Sequence, residues 1–178
     1  MTPLMTNPGL MRKPGPMANR DGFHPDLTTT AGHVDARTRV HHVKASELSS
    51  ATAQSEGMRR FAAISGASVG SEKIWMGETR VSPETVSDNH HHGDSETAIF
   101  VRSGRPEFVF HDGVAEVRIA TAPGHYVYVP PYVPHREENP DPDHPAVVVI
   151  ARSTQEAIGV NIPELYAISE KPGEAAQR

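Results

Sequence analysis

The 178-residue chain has no cysteine. That excludes a disulfide framework, a thiolate nucleophile and any sulfur-ligated zinc or iron cluster, so a metal would have to rest on nitrogen and oxygen. Positive charge is also scarce. Seventeen Lys and Arg face 22 Asp and Glu, giving a formal charge of −5 and a pI near 6.1. The basic residues are spread thinly, without the patch that phosphate backbones or anionic lipid require, so nucleic acid and membrane are excluded as expected partners. Long apolar runs are missing too. The longest, Ala146 to Ala151, falls far short of a membrane span, and the first twenty residues break every apolar stretch with proline, glycine or asparagine. A cytoplasmic protein without a cleaved export signal is the expectation. No internal repeat, Ser-His-Asp arrangement or phosphate loop is visible.

At 37% apolar, the chain can build one domain with a substantial core. We divide it into an N-terminal arm at 1–25, rich in Pro, Gly and Met, a β-domain at 26–165 and a polar tail at 166–178. "RVHHV" from Arg39 alternates as a short strand does, and Ser46 in "KASELSSATAQ" is placed to cap a brief helical turn. Arg59 to Pro83 reads as strands joined by glycine and serine turns. Five further runs are rich in β-branched and aromatic residues and bounded by Gly, Pro or Asp: "ETAIFVRSG", "PEFVFHDG", "AEVRIATAPG", "HYVYVPP" and "PAVVVIARS". Their close spacing predicts an all-β sandwich or barrel. "HDG" (His111 to Gly113) predicts a tight hairpin turn, "NPDPDHP" (Asn139 to Pro145) a rigid surface turn, and "PELYAIS" a short helix near the end.

The chemistry concentrates in "SDNHHHGDSETAIFVRSG", Ser87 to Gly104. In extended chain His90 and His92 share a face while His91 points the other way. Gly93, Asp94 and Ser95 form a bend, after which Glu96 brings a carboxylate toward the same point. Alternation from Glu96 then puts Ala98 and Phe100 on the ligand side, with Phe100 as a pocket wall. A further ligand comes from "PGHYVYVPPYVPHREENP", where His135 follows two proline-stiffened turns at the start of a strand. His125, His41, His42, His111 and His144 read as turn or ordinary polar positions. Three imidazoles and a carboxylate suit Fe, Mn, Ni or Zn without selecting among them, and leave two positions open on an octahedral ion.

These two segments resemble the paired motifs of the cupin superfamily. The first motif runs His, any, His, three or four residues, Glu, six residues, Gly, and His90, His92, Glu96 and Gly104 fall on it. The second runs Gly, five residues, Pro, any, Gly, two residues, His, three residues, Asn, and is met by Gly124, Pro130, His135 and Asn139. Three departures stand out: seven residues rather than six separate Glu96 from Gly104, which implies a bulge; Tyr132 stands at a family glycine; and Glu84 stands at the family's opening glycine. The resemblance implies a jelly-roll barrel of two packed antiparallel sheets, a homodimer, and one divalent transition metal per chain on His90, His92, Glu96 and His135. Its functional implication is a metal-dependent enzyme acting on a small organic substrate. A non-haem Fe(II) dioxygenase leads, with a Mn, Ni or Zn isomerase or decarboxylase, or a binding-only barrel, as alternatives.

Overall fold

The computed structural model describes residues 39–154 and 159–165. The arm at 1–25, the tail at 166–178 and most of the "PELYAIS" stretch lie outside the described residues. Eleven strands are described: β1 (Met58–Ile64), β2 (Trp75–Val81), β3 (Thr85–Val86), β4 (His90–His91), β5 (Thr97–Ser103), β6 (Glu107–His111), β7 (Glu116–Ala120), β8 (Tyr126–Val129), β9 (His135–Asn139), β10 (Ala146–Arg152) and β11 (Val160–Asn161). They form two antiparallel sheets. One is ordered β1-β2-β10-β5-β8 and the other β11-β4-β9-β6-β7, with β3 added to β9. All five expected runs are strands. None of the described helices is long and apolar enough to cross a membrane.

Period-two alternation decides which side chains meet between the sheets. Along β10, Ala146, Val148, Ile150 and Arg152 are buried while Val147, Val149 and Ala151 are half-buried. Directly opposed residues share a face, so the pairings of Ile150 with Ile99 and Gly77, and of Val148 with Val101 and Thr79, extend that inner face across three strands. Ala62, Trp75, Ile99, Val101, Phe108, Val129, Val148 and Ile150 form the main core. The expected bulge is present: Val147 and Val148 pair with Ser103 and Val101, leaving Arg102 as the extra residue of β5.

Three local expectations change. Residues 39–44 form no strand, and Val40 is exposed; alternation without a neighbouring strand provides no ladder. The helical turn is a 3-10 piece at Ala45–Glu47, capped at Lys44, whose N–H donates to the Glu47 carboxylate, so Ser46 lies inside it. The β6–β7 connection is the four residues 112–115 rather than a tight two-residue turn. There the Asp112 carboxylate accepts from the N–H groups of Val114 and Ala115. The strand expected to start at His135 is present as β9, "HREEN", a charged run that propensity alone does not single out. Its outward residue Arg136 bonds Glu138 and Glu116, while Arg118 bonds Glu138 and Glu107. Val109 is fully buried although its cross-strand neighbours are Arg118 and Arg136, as expected if their aliphatic stems cover it.

Candidate metal centre

His90 lies directly opposite His135 in the β4–β9 pair, so both imidazoles project from one face. His92 follows two residues after His90 and joins them. The three ring centroids are 4.5–5.1 Å apart, and one nitrogen from each ring lies within 4.8 Å of the others. All three side chains are buried. His91 is turned away and half-buried, its Nδ1 accepting from the Gly93 N–H.

Hydrogen bonds fix one tautomer for all three. His90 Nδ1 is 2.8 Å from the Asp88 carbonyl and His135 Nδ1 is 2.9 Å from the Val133 carbonyl. A carbonyl only accepts, so each Nδ1 carries the proton and each Nε2 keeps its lone pair. His92 Nδ1 is 2.8 Å from Thr97 Oγ1, and its Nε2 is 3.1 Å from Arg152 Nη2. Because a guanidinium only donates, His92 too has its lone pair on Nε2. Burial is the main cause that pushes His92 far below the ordinary imidazole range, with the Arg152 charge next. Burial, with His90 adding to it and Glu137 opposing, pulls His135 down to about 4. The neutral ring is the form that ligates a metal. His135 Nε2 is buried without a hydrogen-bond partner. A buried acceptor left bare costs about 1–3 kcal/mol, so its chemistry fits a ligand waiting for an electrophile.

Glu96 does not join them, which corrects the ligand set expected from the sequence. Its side chain is exposed and its Oε1 accepts from the Tyr128 hydroxyl at 2.8 Å. The cause is strand phase. Thr97, Ile99 and Val101 are the buried residues of β5, so Glu96, Ala98 and Phe100 point outward, and Phe100 packs against Tyr126 instead of walling a pocket. The spacing carries a signal for this. Four residues separate His92 from position 97 and six separate position 97 from Gly104. Thr97 therefore satisfies both intervals of the motif and occupies the carboxylate's place.

Two other inner residues escaped the sequence reading. Arg152 is 4% exposed and sits opposite Thr97 in the β10–β5 pair, while Glu137 is 4% exposed and lies two residues beyond His135. A charged residue at an inward position of the alternating β10 was the available clue to Arg152. Burial draws the Arg152 guanidinium down to about 10, against the pull of the Glu137 carboxylate. Asn139 closes the far end of β9, its Nδ2 donating to the carbonyls of Val81, Ser82 and His144. The "NPDPDHP" segment is a turn fixed by Asp141, whose carboxylate accepts from Asp143 and His144 N–H groups. Tyr126 and Tyr128 are exposed. A cavity of about 260 Å³, lined by Val43, Leu48, Met76 and Val149 among others, lies on the outer side of the five-stranded sheet, away from the imidazoles.

Two packed antiparallel sheets with three inward imidazoles at one end define a β-barrel with a site able to hold a divalent metal. Residues 77–151 of the chain match a family model described as the cupin domain. Among solved structures it is similar to an arginine-to-alanine mutant of Bacillus subtilis oxalate decarboxylase, at 22% identity and TM-score 0.54, over 61% of this chain and 29% of that one. A serine-to-alanine mutant of the same enzyme matches at 21% and 0.54, over 62% and 29%. A structure from a study of its Mn(II) centres matches at 22% and 0.54, over 61% and 29%. At that identity the likeness establishes the fold, and the chain spans under a third of these neighbours' length. No curated protein matches the sequence.

Proposed function

We propose that the protein is a metal-dependent cupin enzyme that acts on a small organic substrate at His90, His92 and His135, with dioxygen-dependent oxidation by Fe(II) as its leading activity. The observation that carries this reading is the common tautomer of the three buried rings, which leaves three Nε2 lone pairs for one ion. A divalent ion held by His90, His92 and His135 would supply Lewis-acid polarisation of a substrate oxygen and, as Fe(II), redox chemistry toward dioxygen. The chain's part is to hold the rings, through the Asp88 and Val133 carbonyls and the Thr97 hydroxyl, and to keep the site lined by buried residues. Mn(II)-dependent decarboxylation is the second reading. It is supported by the buried Arg152 beside His92, and the similar solved structures are oxalate decarboxylases.

The test begins with elemental analysis of untagged protein, where about one transition metal per chain is expected. An oxygen electrode then screens the Fe(II) form against diketones, catechols and hydroxyketones, and carbon dioxide release is followed for the Mn(II) form with small carboxylic acids. Oxygen uptake supports the first reading and carbon dioxide release the second. Metal retention with neither would leave a binding module, and a chain that cannot be loaded with any of these metals would end the proposal.

A further inference from the structure

Among the described residues three carboxylates are buried: Glu78, Glu137 and Glu138. Glu78 accepts from Arg80 and Arg102, and Glu138 from Arg118 and Arg136. Glu137 is different. Among the described residues no hydrogen bond or ion pair engages its carboxylate, although it is 4% exposed and its cross-strand neighbour on β6 is the core residue Phe108. A buried anion without donors is costly to keep, and leucine there would avoid the cost. Period two puts Glu137 on the same face of β9 as His135, whose Nε2 is buried and bare. Burial, and then His90, pull His135 down, and Glu137 is the side chain that opposes them. A field that favours a proton on a ring favours any cation there.

The other charges of the site work against a metal. Arg152 Nη2 lies 3.1 Å from His92 Nε2, and after burial the charges that hold His92 down are led by Arg152 and include Arg60. Both guanidiniums oppose a divalent ion on these rings. The carboxylate of the cupin pattern does not offset them, because Thr97 stands in its place and Glu96 carries its charge outward to Tyr128. Resting on the metal-dependent reading above, we propose that Glu137 is the counter-charge of the site, a positioning residue that makes His90, His92 and His135 favour a divalent over a monovalent ion. It needs no bond to the ion for this, since attraction between buried charges acts at a distance and grows with the charge of the ion.

The test is the ratio of two affinities. Full-length wild type, Glu137→Gln, Glu137→Asp and Glu137→Leu would be titrated with Zn(II) and, without oxygen, with Cu(I), each against a chromophoric chelator; imidazole ligates both ions. Groups that support the ligands move metal affinity by about 10- to 100-fold, and Glu137→Gln is expected to weaken Zn(II) by that factor. Coulomb energy is proportional to the charge of the ion, so the loss for Cu(I) should be the square root of this, about 3- to 10-fold. Glu137→Asp keeps the charge and should keep the wild-type ratio. Equal losses for the two ions in Glu137→Gln would mark Glu137 as structural and overturn the inference. So would unchanged Zn(II) affinity, or a ratio in Glu137→Asp as low as in Glu137→Gln; all three outcomes leave the metal reading intact. If Glu137→Gln fails to fold, Glu137→Leu, an apolar neighbour for Phe108, reads the same ratio, and failure of both to fold also overturns the inference. Failure of wild type to take Zn(II), Mn(II), Fe(II) or Ni(II) overturns the metal reading itself, and this inference with it.

Discussion

The Thr97 hydroxyl lies 2.8 Å from Nδ1 of His92, across the ring from the nitrogen that Arg152 approaches. A hydroxyl in this position accepts the hydrogen bond from Nδ1–H and so keeps the ring's lone pair on Nε2. Orienting partners of metal-ligating histidines typically matter by 10- to 100-fold in metal affinity. We therefore predict that Thr97→Val weakens divalent metal binding by about 10- to 100-fold, whereas Thr97→Ser, which keeps the hydroxyl, stays near wild type. Glu96→Gln should leave affinity unchanged, because its carboxylate bonds Tyr128 on the outer side. Competition against a chromophoric chelator reads all three, and a loss in Glu96→Gln equal to that in Thr97→Val would restore Glu96 as a ligand.

The two adjacent histidines of β4 should behave differently. His135→Ala or His90→Ala removes one of three donors and is expected to leave purified protein with little bound metal. His91→Ala removes a ring that faces Tyr132 and the Gly93 N–H instead, and metal content should be retained. Elemental analysis of the three purified variants separates these outcomes, and matched losses would contradict the facing of β4.

What the sequence made legible follows from the length scale of each signal. The five strands rich in Val, Ile, Phe and Tyr could be read because their alternation is local and their ends are marked by Gly, Pro or Asp. His90, His92 and His135 were legible because a period of two sets the first pair and proline turns set the third. The phase of β5 was not, since one residue of slip exchanges its faces. It is settled by Thr97, Ile99 and Val101 packing inward and by the bulge at Arg102, both of which depend on β10. β9 was expected from the proline turns that precede His135, not from its own composition. "HREEN" has little strand propensity, and the ion pairs that reward it come from Arg118 and Glu116 on β7, twenty residues away.

The two departures from family glycines have a conformational signature. Among the described residues, the non-glycine positions with positive φ are Glu84 at +48° and Tyr132 at +59°, the two places where the superfamily pattern has glycine. A left-handed conformation costs a side-chain-bearing residue about 1–2 kcal/mol. Glu84 is exposed, so replacing it removes strain without opening the core. After allowing about 0.5–1 kcal/mol for the extra freedom glycine gives the unfolded chain, Glu84→Gly should stabilise by about 0.5–1 kcal/mol. Urea unfolding at constant m-value measures it, and a destabilised variant would show that the turn is not strained. Gly104 is the converse case. It has φ +78°, and an added Cβ would come within 2.6 Å of Ala146 Cα, so Gly104→Ala should destabilise by more than 1 kcal/mol.

The charged face of the second sheet should give the fold part of its pH dependence. Glu138 is opposite Glu107 across β6 and β9 and accepts from both Arg118, at 2.6 and 3.1 Å, and Arg136, at 2.6 Å. The Arg118 bonds, followed by those from Arg136 and opposed by burial, hold its carboxyl below the usual glutamate value of 4.5. A carboxylate whose folded-state pKa is depressed binds fewer protons folded than unfolded, so its contribution is fully present above 4.5 and fades as pH falls through the lower folded value. Glu138→Gln keeps the shape and removes the charge. At pH 7 we expect it to lower stability by about 1–3 kcal/mol, the range for a charge-assisted bond partly screened by the half-exposed Arg118. The gap between wild type and variant should then narrow below pH 4.5, as wild-type Glu138 takes up its proton. Chemical unfolding at a series of pH values follows that gap, and one that stayed constant down to pH 3 would show that Glu138 does not titrate between the folded and unfolded chains.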